Sequence, residues 1–170
     1  MVILRPTRKL SFLLPATGNA QSISGTALGD WYVNRIVVDR KPLLLLVSSA
    51  SLLPILLPGR DVRTLPVRLA GLVEVRLSKL GIEARAIAAE KGAMMPVEIG
   101  PTLDRSVLGI MVDFAKSVPY CFEAKYWNEG TLELVEDHLA ETPCYAGRSF
   151  KQVIFPKEKA RELLSEKWLA

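Results

Sequence analysis

The chain has 170 residues, of which 49% are hydrophobic and 24% charged, and its formal net charge is +4. This length suits one compact domain, and the composition excludes a chain that is disordered throughout. Two cysteines and one histidine are too few for the usual structural zinc site, which takes four such ligands. We therefore expect a single domain over residues 1–170 that holds no metal and no cofactor.

The charge is unevenly divided along the chain. Residues 1–81 carry eleven Lys and Arg against four Asp and Glu, a net of +7. Residues 82–170 carry eleven against fourteen, a net of −3. A basic half can be the footprint of a nucleic acid or of another anionic partner. It can equally attract the acidic half of the same chain, and the sequence leaves both interpretations open.

The first third of the chain predicts an initial strand and then a meander. Val2 to Arg5 suits a short strand, Thr7 can cap a helical turn through Leu14, and residues 15–26 have the composition of a loop. Short turns separate the next three strands, so we expect antiparallel pairing among them, at 31–38, 43–47 and 52–57. The run 43–47 does not alternate, which predicts burial on both of its faces.

The rest of the chain has mainly helical spacing. Helices are predicted at 61–80, 83–91, 103–117, 131–139 and 156–168, with a short strand at 96–99. Thr102 is predicted to cap the third helix, with Asp104 in its first turn. Arg76 falls within an apolar arc, and we expect its stem to extend along the surface toward solvent. These elements predict an α+β fold: an antiparallel sheet from the N-terminal half, with helices packed mainly on one face.

The apolar stretch from Pro42 to Pro58 is too short for a membrane-spanning helix, which needs about 20 residues, and serines divide it. Buried strands explain this stretch better. The first residues lack the apolar core of a signal peptide, because Pro6 and Arg8 interrupt them. We therefore expect no membrane partner and a cytoplasmic location with two reduced thiols.

Several common catalytic signatures are missing from the chain. It has no P-loop, no dinucleotide-binding glycine motif, no zincin motif and no nucleophile elbow. His138 is the single histidine, so any mechanism with an imidazole base would have to use it. A histidine near a helix C-terminus also gains from the helix dipole without catalysis, and we favour that structural interpretation.

One group of candidate binding residues lies in and after the second predicted strand. Trp31 stands near Arg35, Arg40 and Lys41, a mixture of aromatic and positive groups that is typical of platforms for single-stranded nucleic acid. Because neighbouring side chains in a strand point to opposite faces, either Trp31 or Tyr32 must face the core.

A second group lies at the predicted start of the third helix. Arg105 and Ser106 would place a guanidinium and a hydroxyl beside free backbone N–H groups and the positive end of the helix dipole. That arrangement binds anions. The competing interpretation, which we favour, is that Arg105 pairs with a carboxylate inside the chain while Gly109 permits close helix packing.

Four short sequences occur in a fixed order along the chain. They are Leu-Gly-Asp-Trp-Tyr at 28–32, Asp-Arg-Lys at 39–41, Asp-Arg-Ser-Val-Leu-Gly at 104–109 and His-Leu-Ala-Glu-Thr-Pro at 138–143. With Thr-Arg-Lys-Leu at 7–10 and Phe-Pro-Lys-Glu-Lys-Ala at 155–160, they resemble an uncharacterised bacterial and archaeal family, a domain of unknown function. Ala140 replaces the usual Asn of that family, which counts against an essential role there. The resemblance implies one cytoplasmic domain and no assigned activity.

Three functional hypotheses remain. The first, which we favour because the charge is unevenly divided and catalytic signatures are missing, is a non-enzymatic module that binds nucleic acid or a protein partner through the basic N-terminal half. The second is a phosphate-handling enzyme, similar to a metal-dependent nuclease, centred on Arg105 and Ser106. The third is a structural component of a homo-oligomer, which requires exposed apolar residues on the last helix, such as Leu163, Leu164 and Trp168.

Overall fold

Short strands and helices follow one another along the chain in the computed structural model, which describes residues 1–18, 21–121, 128–145 and 152–170. The strands of the main sheet are β1 (Val2–Pro6), β2 (Trp31–Val38), β3 (Lys41–Ser48), β4 (Pro54–Pro58) and β5 (Val97–Ile99). The helices are α1 (Leu65–Lys79), α2 (Ala84–Ala93), α3 (Arg105–Ser117), α4 (Glu129–Ala140) and α5 (Pro156–Trp168). Two-residue strands β6 (Cys144–Tyr145) and β7 (Val153–Ile154) form a small antiparallel pair. Among the helices of these described ranges, none has both the length and the apolar content that a bilayer crossing requires.

The main sheet has the strand order β4-β3-β2-β1-β5. β2, β3 and β4 pair antiparallel, as predicted for strands that short turns connect. β1 pairs in parallel with both β2 and β5, so the sheet is mixed and not wholly antiparallel. The long connections out of β1 and into β5 permit this, because they let the chain return before it enters the next strand. The α+β class is confirmed, and the expected strand pairing is corrected for β1.

Helices cover both faces of the sheet, and not mainly one as the sequence suggested. Helices α1, α2 and α5 pack on the first face, and α3 and α4 pack on the second. In β3, Leu44 and Leu46 belong to the first core layer, while Leu43, Leu45 and Val47 belong to the second. All five are fully buried. The strand lacks alternation because both of its faces are covered.

The Asp-Arg-Lys sequence forms the hairpin between β2 and β3. Val38 pairs with Lys41, so Asp39 and Arg40 make up a two-residue loop. Both loop residues have positive φ angles, 49° and 64°, as a type I′ hairpin loop requires. This conformation places the side chains of Arg40 and Lys41 at an exposed tip.

Buried polar contacts fix the segment that leads into β2. Glu90 of α2 accepts hydrogen bonds from the backbone N–H groups of Ala27 and Leu28, at 2.8 and 3.0 Å. It also accepts one from Trp168 Nε1 of α5, at 2.7 Å. Gly29 follows with a φ of 74°, and a Cβ there would lie 2.4 Å from the hydroxyl oxygen of Ser49. The Leu-Gly-Asp sequence therefore has a structural role that joins the sheet to α2 and α5.

The apolar residues of the last helix pack within this chain. Leu164 is 1% exposed and belongs to the first core layer, against which Leu163 and Trp168 are also packed. The homo-oligomer hypothesis requires these side chains to be exposed, and Leu164 does not meet that requirement. The amphipathic face of α5 is used to close the core.

Candidate binding site at the open edge of β2

The predicted aromatic platform does not form on the surface. Trp31 has no exposed area and lies in the first core layer, and Tyr32 is buried in the second. The hydroxyl of Tyr32 accepts hydrogen bonds from the N–H groups of Leu103 and Asp104, at 3.3 and 2.9 Å. Both rings are thus used in the fold. Trp31 is withdrawn from the candidate site because no base can stack on it.

The start of α3 is capped by its own sequence. Asp104, and not Thr102, is the N-cap, and its Oδ1 accepts hydrogen bonds from the N–H and the hydroxyl of Ser106 at 2.8 and 2.6 Å. The Ser106 groups that the sequence offered to an anion therefore already hold a carboxylate. Arg105 is exposed, and it makes no ion pair within the described part of the chain. The favoured interpretation, an internal salt bridge at Arg105, therefore has no carboxylate partner among the described residues and stays a prediction for the rest of the chain.

Strand β2 is longer than β1, and this difference leaves an open edge. The pairing with β1 ends where Pro6 lies opposite Val33, whereas β2 continues to Val38. The N–H of Thr7 donates to the carbonyl oxygen of Val33 at 2.9 Å on that side. Because backbone groups alternate in direction along a strand, the N–H and C=O groups of Arg35 and Val37 point the same way. No strand of the described ranges pairs with them there.

A groove of about 440 Å³ runs along this open edge, between β2 and α3. Its charged lining residues are all cationic in the described chain: Lys9, Arg35 and Lys116. Val37 and Val112 add apolar surface and are 62% and 49% exposed. We call this feature the edge groove. It combines free backbone hydrogen-bonding groups, positive charge and exposed valines in one place.

The predicted candidates divide between the edge groove and other places. Arg35 lines the groove, and Arg40 and Lys41 lie at the tip of the same hairpin. Sequence reasoning missed Lys9 and Lys116, because the pairing of β1 with β2 brings Lys9 beside Arg35 and the packing of α3 on the sheet brings Lys116 there. Lys9 does fall within the Thr-Arg-Lys-Leu sequence of the family pattern, which was the one available signal.

A second site lies between β4, α1 and α4 and centres on Arg76. This side chain was expected to reach solvent but is 2% exposed. Its Nη1 lies 2.7 Å from Asp137 Oδ1, and its Nε lies 3.5 Å from Glu136 Oε2. Glu136 is itself buried, so the acidic face of α4 is not wholly solvated. Burial raises the pKa of Glu136 from 4.5 to about 7, although Arg76 and Lys79 oppose the shift.

The thiols and the histidine do not form an activated nucleophile. Cys121 and His138 line one shallow pocket of about 510 Å³, but burial raises the pKa of the Cys121 thiol. Burial and the charge of Asp113 raise the pKa of Cys144 to about 11. Both thiols are therefore protonated near neutral pH, the unreactive form. In residues 1–18, 21–121, 128–145 and 152–170, no three His, Cys, Asp or Glu side chains are grouped so as to hold a metal ion.

The fold and the edge groove define an α+β domain with an open, basic strand edge. The model of one family, described as Domain of unknown function (DUF6933), matches residues 3–159. The chain belongs to this family, which confirms the resemblance that its short sequences indicated. No curated protein and no solved structure is significantly similar to it.

Proposed function

We propose that this protein is a non-enzymatic binding module that receives an acidic, extended segment of a protein partner along the edge groove. The open edge at Arg35 and Val37, beside a lining whose charges are all positive, is the observation that carries the proposal. Adding a strand to a sheet edge gives affinity through main-chain hydrogen bonds and specificity through alternate side chains.

A peptide suits this groove better than a single-stranded nucleic acid does. Stacking on aromatic side chains supplies about 1–3 kcal/mol per base in such complexes. Trp31 and Tyr32 are buried, and the described lining of the groove contains no aromatic ring. Phosphates could use the three cations, but they would leave the backbone groups of β2 unused. A peptide would use both.

The positive charges also explain why the edge can stay open in the free protein. Cationic side chains on an exposed edge hinder pairing with a second copy of the same strand. A partner strand with carboxylates at alternate positions would neutralise Lys9, Arg35 and Lys116 as it docks. Complementary charge of this kind speeds association and rejects basic or neutral strands. The same residues therefore protect the edge and select the partner.

Two unpaired thiols support our further proposal that the protein works in the cytoplasm. Cys121 and Cys144 are both free. Free thiols are usual where the cell keeps cysteines reduced, and disulfides are usual in secreted domains. Fractionation of cells that express the tagged full chain would test this location, and recovery from a secreted or periplasmic fraction would contradict it.

Reversing two charges of the edge groove is expected to weaken peptide binding. The probe is a labelled octapeptide in which Glu alternates with Val or Thr, followed by fluorescence anisotropy. We expect saturable binding that weakens as salt rises, because exposed charges are screened. The double variant Arg35→Glu, Lys116→Glu should bind at least about 10-fold more weakly, a change of about 1.4 kcal/mol.

A matched control separates the groove from the net charge of the protein. Arg63 and Arg85 are exposed and lie outside the groove, so Arg63→Glu with Arg85→Glu makes the same change in total charge. This control should bind as the wild type does. An equal loss in both double variants would overturn the proposed site. If labelled oligouridine binds more tightly than the peptide and loses affinity in the Arg35 variant, the partner of the edge groove is single-stranded nucleic acid and not a peptide.

A further inference from the structure

A cleft of about 350 Å³ lies between β4, α1 and α4, away from the edge groove. Much of its wall is apolar, from Leu57 of β4, Leu72 and Val75 of α1 and Leu132 of α4. This volume is at the small end of the range for ligand sites, which are mainly apolar with a few placed polar groups. The cleft thus has the size and lining for a small organic molecule.

Arg76 lines this cleft with unused hydrogen-bond donors. Its side chain is 1% exposed, and only Nη1 has a close acceptor, at Asp137. Nη2 and Nε have no hydrogen-bond acceptor within the described residues, since Glu136 is too distant from Nε to bond well. A buried donor without an acceptor costs about 1–3 kcal/mol. A guanidinium in this state is suited to an oxyanion, which can accept two of its N–H groups together.

Further cations surround the same cleft. Arg60, Arg68 and Lys79 also line it, against two carboxyl groups, those of Asp61 and Glu136. Lys79 is paired with Glu133 at 2.8 Å, whereas exposed Arg60 makes no ion pair in the parts of the chain that the structure describes. With Arg76, the cleft has four cationic side chains against two carboxyl groups, and so it has an excess of positive charge. An anion entering it would meet Arg76 and Arg60.

We propose that this cleft binds a small amphipathic acid, with its oxyanion head on Arg76 and Arg60 and its apolar body against the leucines of β4, α1 and α4. A wholly structural role for Arg76 would be met by its ion pairs with Asp137 and Glu136, and it would leave Nη2 without an acceptor among the described residues. The unused donors and the apolar cavity beside them are what a ligand of this class would satisfy. The site is independent of the edge groove, so either proposal can fail alone.

The first test is a titration followed through the side-chain Nε–H signal of Arg76 in ¹⁵N-labelled protein. Octanoate is the main probe, and octyl phosphate, inorganic phosphate and octanol are the comparisons. We expect saturable shifts of the Arg76 signal and of the Leu57 amide with octanoate or octyl phosphate. Inorganic phosphate and octanol, which each lack one half of the ligand, should bind at least about 10-fold more weakly. An Arg76 signal that none of the probes moves would overturn the site.

Substitution of Arg60 tests whether this residue binds the oxyanion head of the ligand. Arg60→Ala should weaken octanoate binding several-fold, because it removes an exposed cation that is not part of the core. Arg85→Ala, an exposed arginine outside the cleft, should leave the affinity unchanged. Equal affinity in Arg60→Ala and wild type, or equal binding of inorganic phosphate and octyl phosphate, would overturn this assignment of the ligand class.

Binding should also depend on pH through Glu136, which competes with the ligand for Arg76. Glu136 is faced by Arg76 and Lys79 of α1, by Asp137 of its own helix and by a hydrogen bond from the Leu56 backbone of β4. Below pH 7 its carboxyl group is protonated and the ligand meets less competition, so octanoate should bind more tightly at pH 6 than at pH 8. Glu136→Gln should remove this difference. A pH dependence that is the same in both proteins would contradict the assigned role.

Discussion

Glu90→Ala is expected to destabilise the protein by about 3–5 kcal/mol, the range for breaking a buried charged network. Glu90 has no exposed area. Its carboxylate accepts from two buried backbone N–H groups ahead of β2 and from the partly buried indole N–H of Trp168 in α5, so its loss removes the acceptor of all three donors. Urea unfolding at neutral pH measures the change, provided that both proteins unfold in one transition.

Two further variants distinguish the lost hydrogen bonds from a general effect of losing a carboxylate. Glu90→Gln keeps one acceptor oxygen and should have intermediate stability. Glu166→Ala changes an exposed residue of α5 and should stay within about 0.5 kcal/mol of the wild type. A loss of under about 1 kcal/mol in Glu90→Ala would mean that the segment before β2 is not held by this carboxylate.

Arg76→Met is expected to cost about 3–5 kcal/mol near pH 8, because it leaves the buried carboxylate of Glu136 without its main positive neighbour. The double variant Arg76→Met, Glu136→Leu removes both buried charges and should recover most of this loss. Replacing a whole buried ion pair with apolar side chains of similar volume is often neutral or stabilising. Such recovery would mean that the pair is not needed for stability, as expected of a ligand site.

The pH dependence of stability gives a second measure of the pair formed by Arg76 and Glu136. The pKa of Glu136 is raised from 4.5 to about 7 on folding, so the folded state holds a proton that the unfolded state releases between these values. Its contribution to stability is fully present below pH 4.5 and is lost as pH rises through 7. Unfolding by urea across this range should show the decline in wild type and not in Glu136→Gln. The same pH profile of stability in wild type and Glu136→Gln would contradict the assignment of this titration to Glu136. A double variant Arg76→Met, Glu136→Leu that is no more stable than Arg76→Met would contradict the expectation that the pair is not needed for stability.

Local signals were enough to predict the elements themselves. Alternation predicted β2 at its observed limits, and the proline in the first turn of the last helix predicted α5 as Pro156–Trp168. The parallel pairing of β1 could not be predicted, because it depends on the path of the long loop between β1 and β2. The unbroken leucines of β3 did indicate burial on both faces. That signal already required helices on each side of the sheet, so the one-sided arrangement was the weaker inference.

The binding sites were less accessible to sequence reasoning. Arg35 was found because its strand was predicted correctly. The prediction that Trp31 belongs to the binding surface was wrong, because a large aromatic side chain in a central strand is stabilised more by burial in the core than by exposure. Lys9 and Lys116 join Arg35 only through tertiary packing. Arg76 and its acidic partners lie about 60 residues apart on different helices, as the separation of 61 between Arg76 and Asp137 shows. No local pattern connects such groups.

Amide hydrogen exchange at β2 is the most direct test of the open strand edge. The full chain would be measured alone and with a saturating amount of the acidic octapeptide. Slower exchange at Arg35 and Val37, whose N–H groups face the open edge, is the expected result, with Asn34 and Ile36 unchanged because theirs face β3. If the peptide binds while exchange at Arg35 and Val37 stays as fast as in the free protein, charge alone holds it and no strand is added.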